Sequence, residues 1–444
     1  MREDTMSVPI VAVVGRPNVG KSTFVNRLSG SREAIVHEQR GVTRDRSYHK
    51  AEWNGVAFTL VDTGGIEFVS DDDFGASIRS QAMLAAEEAD AVVFLVDGTV
   101  TSTSGDLDIA KLLKRGGTPV LLVVNKLDNP ANEDAVWDYY SLGLGTPYPV
   151  SSLHGHGTGD VLDELVALLP EPDDGEDSDI EAVNVAIIGR PNVGKSTLVN
   201  RLSQTERCIV SDVAGTTRDA VDTLVIHDDK AYRLIDTAGI RRRSQINESV
   251  EYYGFLRALR AIERADVALL LLDATLGLTD QDQRVAALAA ERGCALVILL
   301  NKWDALTTLE EREQLREHVA DRLVFVDYAP KISISALTGR SVQRIWGTID
   351  TVFAHYSAHY STSKLNTLLT ELRDFGHTVS KGKAQLRINY VTQTATCPPQ
   401  FTFFANHPQL VDDNYRRYLE NRLREGLDLA GTPLRLRFKA KDPQ

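Results

Sequence analysis

The sequence predicts two doubly wound α/β domains in tandem, followed by a small α+β domain. Three observations carry this reading. The stretch GRPNVGKST occurs twice, at residues 15–23 and 189–197. Each copy opens a series of continuous apolar runs that alternate with helical patterns. After about residue 355 the pattern changes to half-polar strands around one amphipathic helix.

The duplication extends well beyond the repeated stretch. Residues 15–29 (GRPNVGKSTFVNRLS) and 189–203 (GRPNVGKSTLVNRLS) differ only at Phe24 against Leu198. The same offset carries Thr43 onto Thr217 and Asp62 onto Asp236. It then grows by two residues, carrying Asn125-Lys126-Leu127-Asp128 onto Asn301-Lys302-Trp303-Asp304. Chance does not produce collinear motifs of this kind, so the chain contains a duplicated domain.

Within the first copy the apolar runs are VPIVAVVG, FTLVDTGG, AVVFLVDG and PVLLVVNKLD; the second gives VNVAIIG, YRLIDTAG, VALLLLDA and ALVILLNKWD. Runs of Val, Leu and Ile without alternation belong to strands covered on both faces. A helix is expected to begin near Lys21, and DQDQRVAALAAERG has helical spacing. Strand and helix in alternation give a doubly wound sheet. In the last segment, KAQLRINYVTQ and TPLRLRFKAK alternate as half-exposed strands do. DDNYRRYLENRLREGLDLAG reads as a helix, with Asp412 or Asp413 as N-cap and Gly431 past its end. The domains are expected at 8–170, 183–354 and 360–444. Residues 171–182 (EPDDGEDSDIEA) hold seven acids and no bases. Such a segment is a flexible linker, or docks on a basic surface.

Composition sets the outer limits. Of 444 residues, 43% are hydrophobic and 25% charged, which excludes a largely disordered chain. Cys208, Cys294 and Cys397 show no disulfide or zinc spacing, and a reducing, cytoplasmic compartment is expected. The first apolar run has strand length, too short for a signal peptide or a membrane span, so no membrane association is expected. A net charge of −13 argues against nucleic-acid binding by the whole chain. Residues 364–444, however, hold 13 bases and 8 acids, a surplus of five that leaves −18 on the remainder.

Four motifs carry the chemistry. The first is the loop Gly15-Arg16-Pro17-Asn18-Val19-Gly20-Lys21-Ser22-Thr23 and its copy Gly189-Arg190-Pro191-Asn192-Val193-Gly194-Lys195-Ser196-Thr197. Glycines let backbone N–H groups turn toward phosphate at a helix N-terminus, whose dipole favours anions. Lys21 and Lys195 are placed to reach the β- and γ-phosphates and to stabilise charge, and Ser22 and Ser196 to hold Mg²⁺. The second is Asp62-Thr63-Gly64-Gly65 and Asp236-Thr237-Ala238-Gly239, whose aspartates point to Mg²⁺ and whose last glycines offer an N–H to the γ-phosphate. The third is Asn125-Lys126-Leu127-Asp128 and Asn301-Lys302-Trp303-Asp304. A carboxylate there accepts two hydrogen bonds from guanine, which adenine cannot supply. Ser151-Ser152 and Ser335-Ala336 follow at the next strand end, where N–H groups can meet the guanine oxygen. The fourth is Thr43 and Thr217, each in a TRD sequence, placed to complete the Mg²⁺ shell.

These motifs predict a GTPase that binds GTP and GDP at two sites. Many such switches place a glutamine after the DxxG turn to orient water. Here Ile66 and Ile240 stand there, so hydrolysis is slow unaided or draws on another group. Arg241-Arg242-Arg243 fit a solvated or RNA-facing cluster better than phosphate contact.

The tandem GRPNVGKS, DTGG/DTAG and NKxD motifs, with RRRSQINESVEYYGFLRALRAIERADV, resemble the EngA (Der) family of bacterial GTPases over essentially the whole chain. The resemblance implies a KH-like C-terminal domain and a role in assembly of the large ribosomal subunit, through contact with its RNA and proteins. It also implies K⁺-stimulated hydrolysis with Asn18 and Asn192 as cation ligands, and a monomer. Ordinary KH modules clamp RNA with a GxxG loop, and residues 360–444 contain none. A protein-contacting or shape-reading surface is therefore favoured. Two functional readings follow: an enzyme-switch driven by GTP hydrolysis, or a scaffold gated by nucleotide occupancy with incidental turnover.

Overall fold

A computed structural model describes residues 8–29, 48–63, 89–170, 182–204, 207–209, 222–235, 250–374, 380–381 and 384–440. Its contacts divide the chain into two compact units, one holding the first sheet and the other the second sheet with the C-terminal domain.

The first sheet has six strands: β1 (Ile10–Val14), β2 (Tyr48–Trp53), β3 (Val56–Asp62), β4 (Ala91–Asp97), β5 (Val120–Asn125) and β6 (Tyr148–Pro149). Their order is β2-β3-β1-β4-β5-β6, parallel except for the β2–β3 hairpin. That hairpin turns at Asn54 and Gly55, both with positive φ, as a tight turn matched to strand twist requires. Helices α1 (Lys21–Ser29), α2 (Ser104–Gly116) and α3 (Thr158–Leu168) supply the crossovers. Strands β1, β4 and β5 are buried on both faces, by one cluster around Phe24, Phe58 and Leu165 and another around Phe94, Leu113 and Tyr139.

The second sheet repeats this plan. Its strands are β7 (Ala182–Ile188), β8 (Arg207–Ile209), β9 (Thr223–His227), β10 (Lys230–Ile235), β11 (Val267–Asp273), β12 (Ala295–Asn301) and β13 (Lys331–Ser333). The order β13-β12-β11-β7-β10-β9-β8 is the first sheet with one added edge strand. The helices are α4 (Lys195–Gln204), α5 (Val250–Arg264), α6 (Asp280–Arg292), α7 (Leu309–Arg322) and α8 (Arg344–Tyr356). In both sheets the strand bearing the phosphate loop is central, where the direction of winding reverses and ligands bind.

The C-terminal domain has helices α9 (Thr362–Asp374) and α10 (Asp413–Gly426) packed on a three-stranded sheet. A two-residue pair, β14 (Ser380–Lys381) with β15 (Ala384–Gln385), precedes that sheet. Strands β16 (Ile388–Ala395), β17 (Gln400–Ala405) and β18 (Arg435–Ala440) follow, antiparallel and then parallel. Asp412 is the N-cap of α10, accepting from the Tyr415 N–H at 2.8 Å. The helix stops at Gly426, short of the expected end before Gly431. Gly431 instead has φ 73° and bridges to the second sheet, donating to the Tyr328 carbonyl and accepting from the Leu296 N–H, both at 2.8 Å. Among the described residues no helix is long and apolar enough to cross a membrane.

Candidate nucleotide-binding sites

Each phosphate loop leaves the end of a central strand and closes on the first turn of a helix. Gly15 and Gly189 sit against the neighbouring strand: an added Cβ would meet the Leu95 carbonyl oxygen at 2.2 Å and that of Leu271 at 2.5 Å. Gly20 and Gly194 have φ near 100° and leave no space for a Cβ beside the Nδ2 of Asn125 and Asn301. Only glycine fits these four positions. Asn18 and Asn192 also adopt positive φ, 64° and 62°, which asparagine tolerates. The loop is therefore a fixed concavity of backbone N–H groups ahead of α1 and α4.

Within it the lysines are already oriented. Lys21 Nζ donates to the carbonyls of Gly15 at 2.8 Å and Arg16 at 2.9 Å. Lys195 Nζ does the same to Gly189 at 2.7 Å and Arg190 at 2.6 Å. Lys21 is only 7% exposed; burial lowers its pKa, while the charge of Asp62 acts in the opposite direction. Ser22 Oγ donates to Asp62 Oδ2 at 2.5 Å, so the hydroxyl and carboxylate expected at a metal meet here. Thr63 Oγ1 donates to the Val13 carbonyl at 2.8 Å, tying the end of β3 to β1.

The base side is held by Asn125 and Asn301, both 2% exposed. Asn125 Nδ2 donates to the Val19 carbonyl at 2.8 Å, and its Oδ1 accepts from the N–H of Ser152 at 2.9 Å and its hydroxyl at 2.7 Å. Asn301 donates to Val193 at 2.7 Å and accepts from the Ala336 N–H at 2.9 Å. The Ser152 and Ala336 N–H groups, expected at the guanine oxygen, thus first fix the base loop to the phosphate loop. Asp128 and Asp304 are exposed rather than buried, so only a base laid against them would bury them. Ser151 Oγ donates to Asp128 Oδ1 at 2.6 Å, which orients that carboxylate.

Lys126 and Lys302, in the left-handed region at φ 67° and 61°, turn their ammonium groups to Asp97 and Asp273 at 2.6 Å and 2.5 Å. Burial alone would raise the Asp97 and Asp273 carboxyls, but the lysine and threonine donors outweigh it and hold both below the ordinary value. Sequence reasoning missed these two aspartates. The signal was available, since the offset that aligns the NKxD motifs also aligns Asp97 with Asp273. The base sides differ at two of these positions, Ser152 against Ala336 and Leu127 against Trp303. Trp303 is 4% exposed, with Arg312 and Arg316 over its ring at 5.9 and 5.1 Å.

Thr43, Gly64, Gly65, Ile66, Thr217, Asp236, Thr237, Ala238, Gly239, Ile240 and Arg241-Arg242-Arg243 lie outside the described residues.

Comparison with known proteins agrees with this geometry. The family described as "50S ribosome-binding GTPase" matches residues 10–126 and again 184–302. The "KH-domain-like of EngA bacterial GTPase enzymes, C-terminal" matches 359–439. The chain is 50% identical to "GTPase Der" of Moorella thermoacetica, over 98% of this chain and 99% of that one. It is 47% identical to "GTPase Der" of Heliobacterium modesticaldum over 99% and 100%. For the protein of that name from a Synechococcus strain the figures are 48%, 98% and 97%. Two phosphate loops, two base loops and a KH-like domain in this order make the chain a member of the GTPase Der (EngA) family, with two GTP-hydrolysing sites.

Proposed function

We propose that GTP binding and hydrolysis at the two sites control association of this chain with the large ribosomal subunit during its maturation. The observation that carries the reading is the joining of two preformed phosphate loops to a basic C-terminal domain in one chain. The ribosome named in the matched family description supports the partner. On the C-terminal sheet, Arg437 and Lys439 of β18 are exposed, and β17 places Phe404 beside Lys439. The exposed Tyr390 ring lies 5.7 Å from Phe404. Cationic heads beside an aromatic ring suit RNA phosphates and unstacked bases. The domains doing this work are inferred to run 8–170, 183–354 and 360–444, in a cytoplasmic monomer. Co-sedimentation with ribosomal subunits should show binding to the large subunit with a non-hydrolysable GTP analogue and loss of it with GDP. Equal pelleting in every nucleotide state would refute the switch.

Mg²⁺ is proposed to bind Ser22, Asp62 and Thr43 in the first site, and Ser196, Asp236 and Thr217 in the second. The hydroxyl and carboxylate brought together at Ser22 and Asp62 fit it. They are hard oxygen donors, few enough to leave positions for phosphate oxygens and water, as Mg²⁺ prefers. The metal would neutralise charge on the phosphates. Asn18 and Asn192 are proposed to hold K⁺, which would supply transition-state charge where Ile66 and Ile240 cannot position water. Single-turnover hydrolysis should then run about a hundredfold faster in KCl than in NaCl, the lower end of the scale of one electrostatic contact in a dry site. Equal rates would remove the cation and favour the nucleotide-gated scaffold.

A further inference from the structure

Arg16 and Arg190 belong to the phosphate loops, and their side chains are held by buried aspartates. Arg16 Nε donates to Asp106 Oδ1 at 2.8 Å, and Arg190 Nε lies 3.0 Å from the Asp282 carboxylate. These aspartates are 1% and 0% exposed. Each is residue N3 of the helix that follows the strand beside the phosphate loop, α2 or α6. Its Oδ2 accepts from the N-cap threonine: Thr103 N–H at 3.0 Å and hydroxyl at 2.7 Å, Thr279 N–H at 3.0 Å and hydroxyl at 2.8 Å. One carboxylate therefore caps a helix and anchors an arginine. Without it, a guanidinium beside the positive end of a helix would be repelled.

The backbone of the same arginine completes the chain of contacts. The Arg16 and Arg190 carbonyls are two of the four that receive the Lys21 and Lys195 ammonium groups. The other two belong to Gly15 and Gly189, fixed against β4 and β11 by close packing. One carbonyl of each pair is thus set by a strand and the other by an arginine tied to a capped helix. The arrangement recurs in both domains, 90 residues apart in one and 92 in the other.

We propose that Asp106 and Asp282 are positioning residues: through Arg16 and Arg190 they hold the phosphate lysines in their binding orientation before nucleotide arrives. The proposal rests on the reading of Lys21 and Lys195 as phosphate ligands. Its effect belongs to the free site, because bound phosphates themselves hold the ammonium group. Loss of the anchor should therefore raise KM and leave kcat in place.

The test uses the full chain carrying Lys21→Ala, so that the second site alone turns over. Asp282→Asn keeps an oxygen for the helix cap and removes the charged acceptor of Arg190. It should raise the KM for GTP about tenfold with kcat within about twofold, the scale of a lost supporting contact. Arg190→Met, which leaves the cap intact, should give the same split, and it carries the test if Asp282→Asn does not fold. The double variant should be no worse than either single one. An unchanged KM, a parallel fall in kcat, or losses that multiply in the double variant would each overturn the proposal. Lys195→Ala separates the two levels. If GTP binds that variant normally, the lysine reading fails; if binding is lost while Asp282→Asn and Arg190→Met are silent, only the anchor fails.

Discussion

Asp304→Asn is expected to turn the second site from guanine toward xanthine nucleotides. The carboxylate stands at the end of β12, exposed, in a 3-10 turn of residues 303–305. Guanine presents two N–H donors to it. An amide offers one acceptor and one donor, so one hydrogen bond survives, now to a neutral oxygen, and the other guanine donor faces an N–H. Xanthine replaces the amino group by an oxygen and restores the match. Hydrogen bonds to a charged group contribute about 1.5–3 kcal/mol each, so GTP affinity should fall roughly a thousandfold. Competition of GTP and XTP for the second site, with the first disabled by Lys21→Ala, measures the change. Unaltered preference for GTP would show that Asp304 does not read the base. The Trp303 shelf under Arg312 and Arg316 keeps its shape in this variant, so the effect should be chemical rather than structural.

Asn125→Ala should have the broadest effect on the first site. This side chain joins Val19 of the phosphate loop to Ser152 of the base loop by three hydrogen bonds, all buried. Truncation leaves a buried carbonyl and a buried N–H without partners, at about 1–3 kcal/mol for each. It also frees the two halves of the site from one another. The first site should lose nucleotide binding, and that domain should lose about 3 kcal/mol of stability. Fluorescent-GDP binding and urea unfolding would check the two parts. Asn301→Ala should do the same at the second site, so an effect on both sites from one change would show that they are not independent. Full binding by Asn125→Ala would mean that the loops hold their places without it.

The parts legible in sequence were those whose physics is local. Continuous Val, Leu and Ile runs marked the parallel strands, because both faces of each are buried. The phosphate loops were legible because two glycines and a left-handed asparagine are dictated by backbone geometry within a few residues. What stayed hidden depends on distant partners. Strand β17 lies in QFTFFA, too short and too uniformly apolar to show a period. The end of α10 was misplaced because Gly431 looked like a stop signal, although its conformation serves a hydrogen bond to Tyr328. Asp97 and Asp106 looked like ordinary polar residues at the ends of strand and helix. Each acquires its meaning from a lysine or arginine tens of residues away.

The clearance around Gly15, Gly20, Gly189 and Gly194 has a consequence for how the duplicated halves can drift. A methyl group at any of them would sit within 2.5 Å of a carbonyl oxygen or an amide nitrogen. No single substitution there is tolerated, whatever the workload of the site. Identity of these glycines between the copies therefore records steric intolerance, and says nothing about equal turnover. Freedom to specialise lies where side chains have room, as at Leu127 and Trp303. A slow copy and a fast copy would carry the same two glycines.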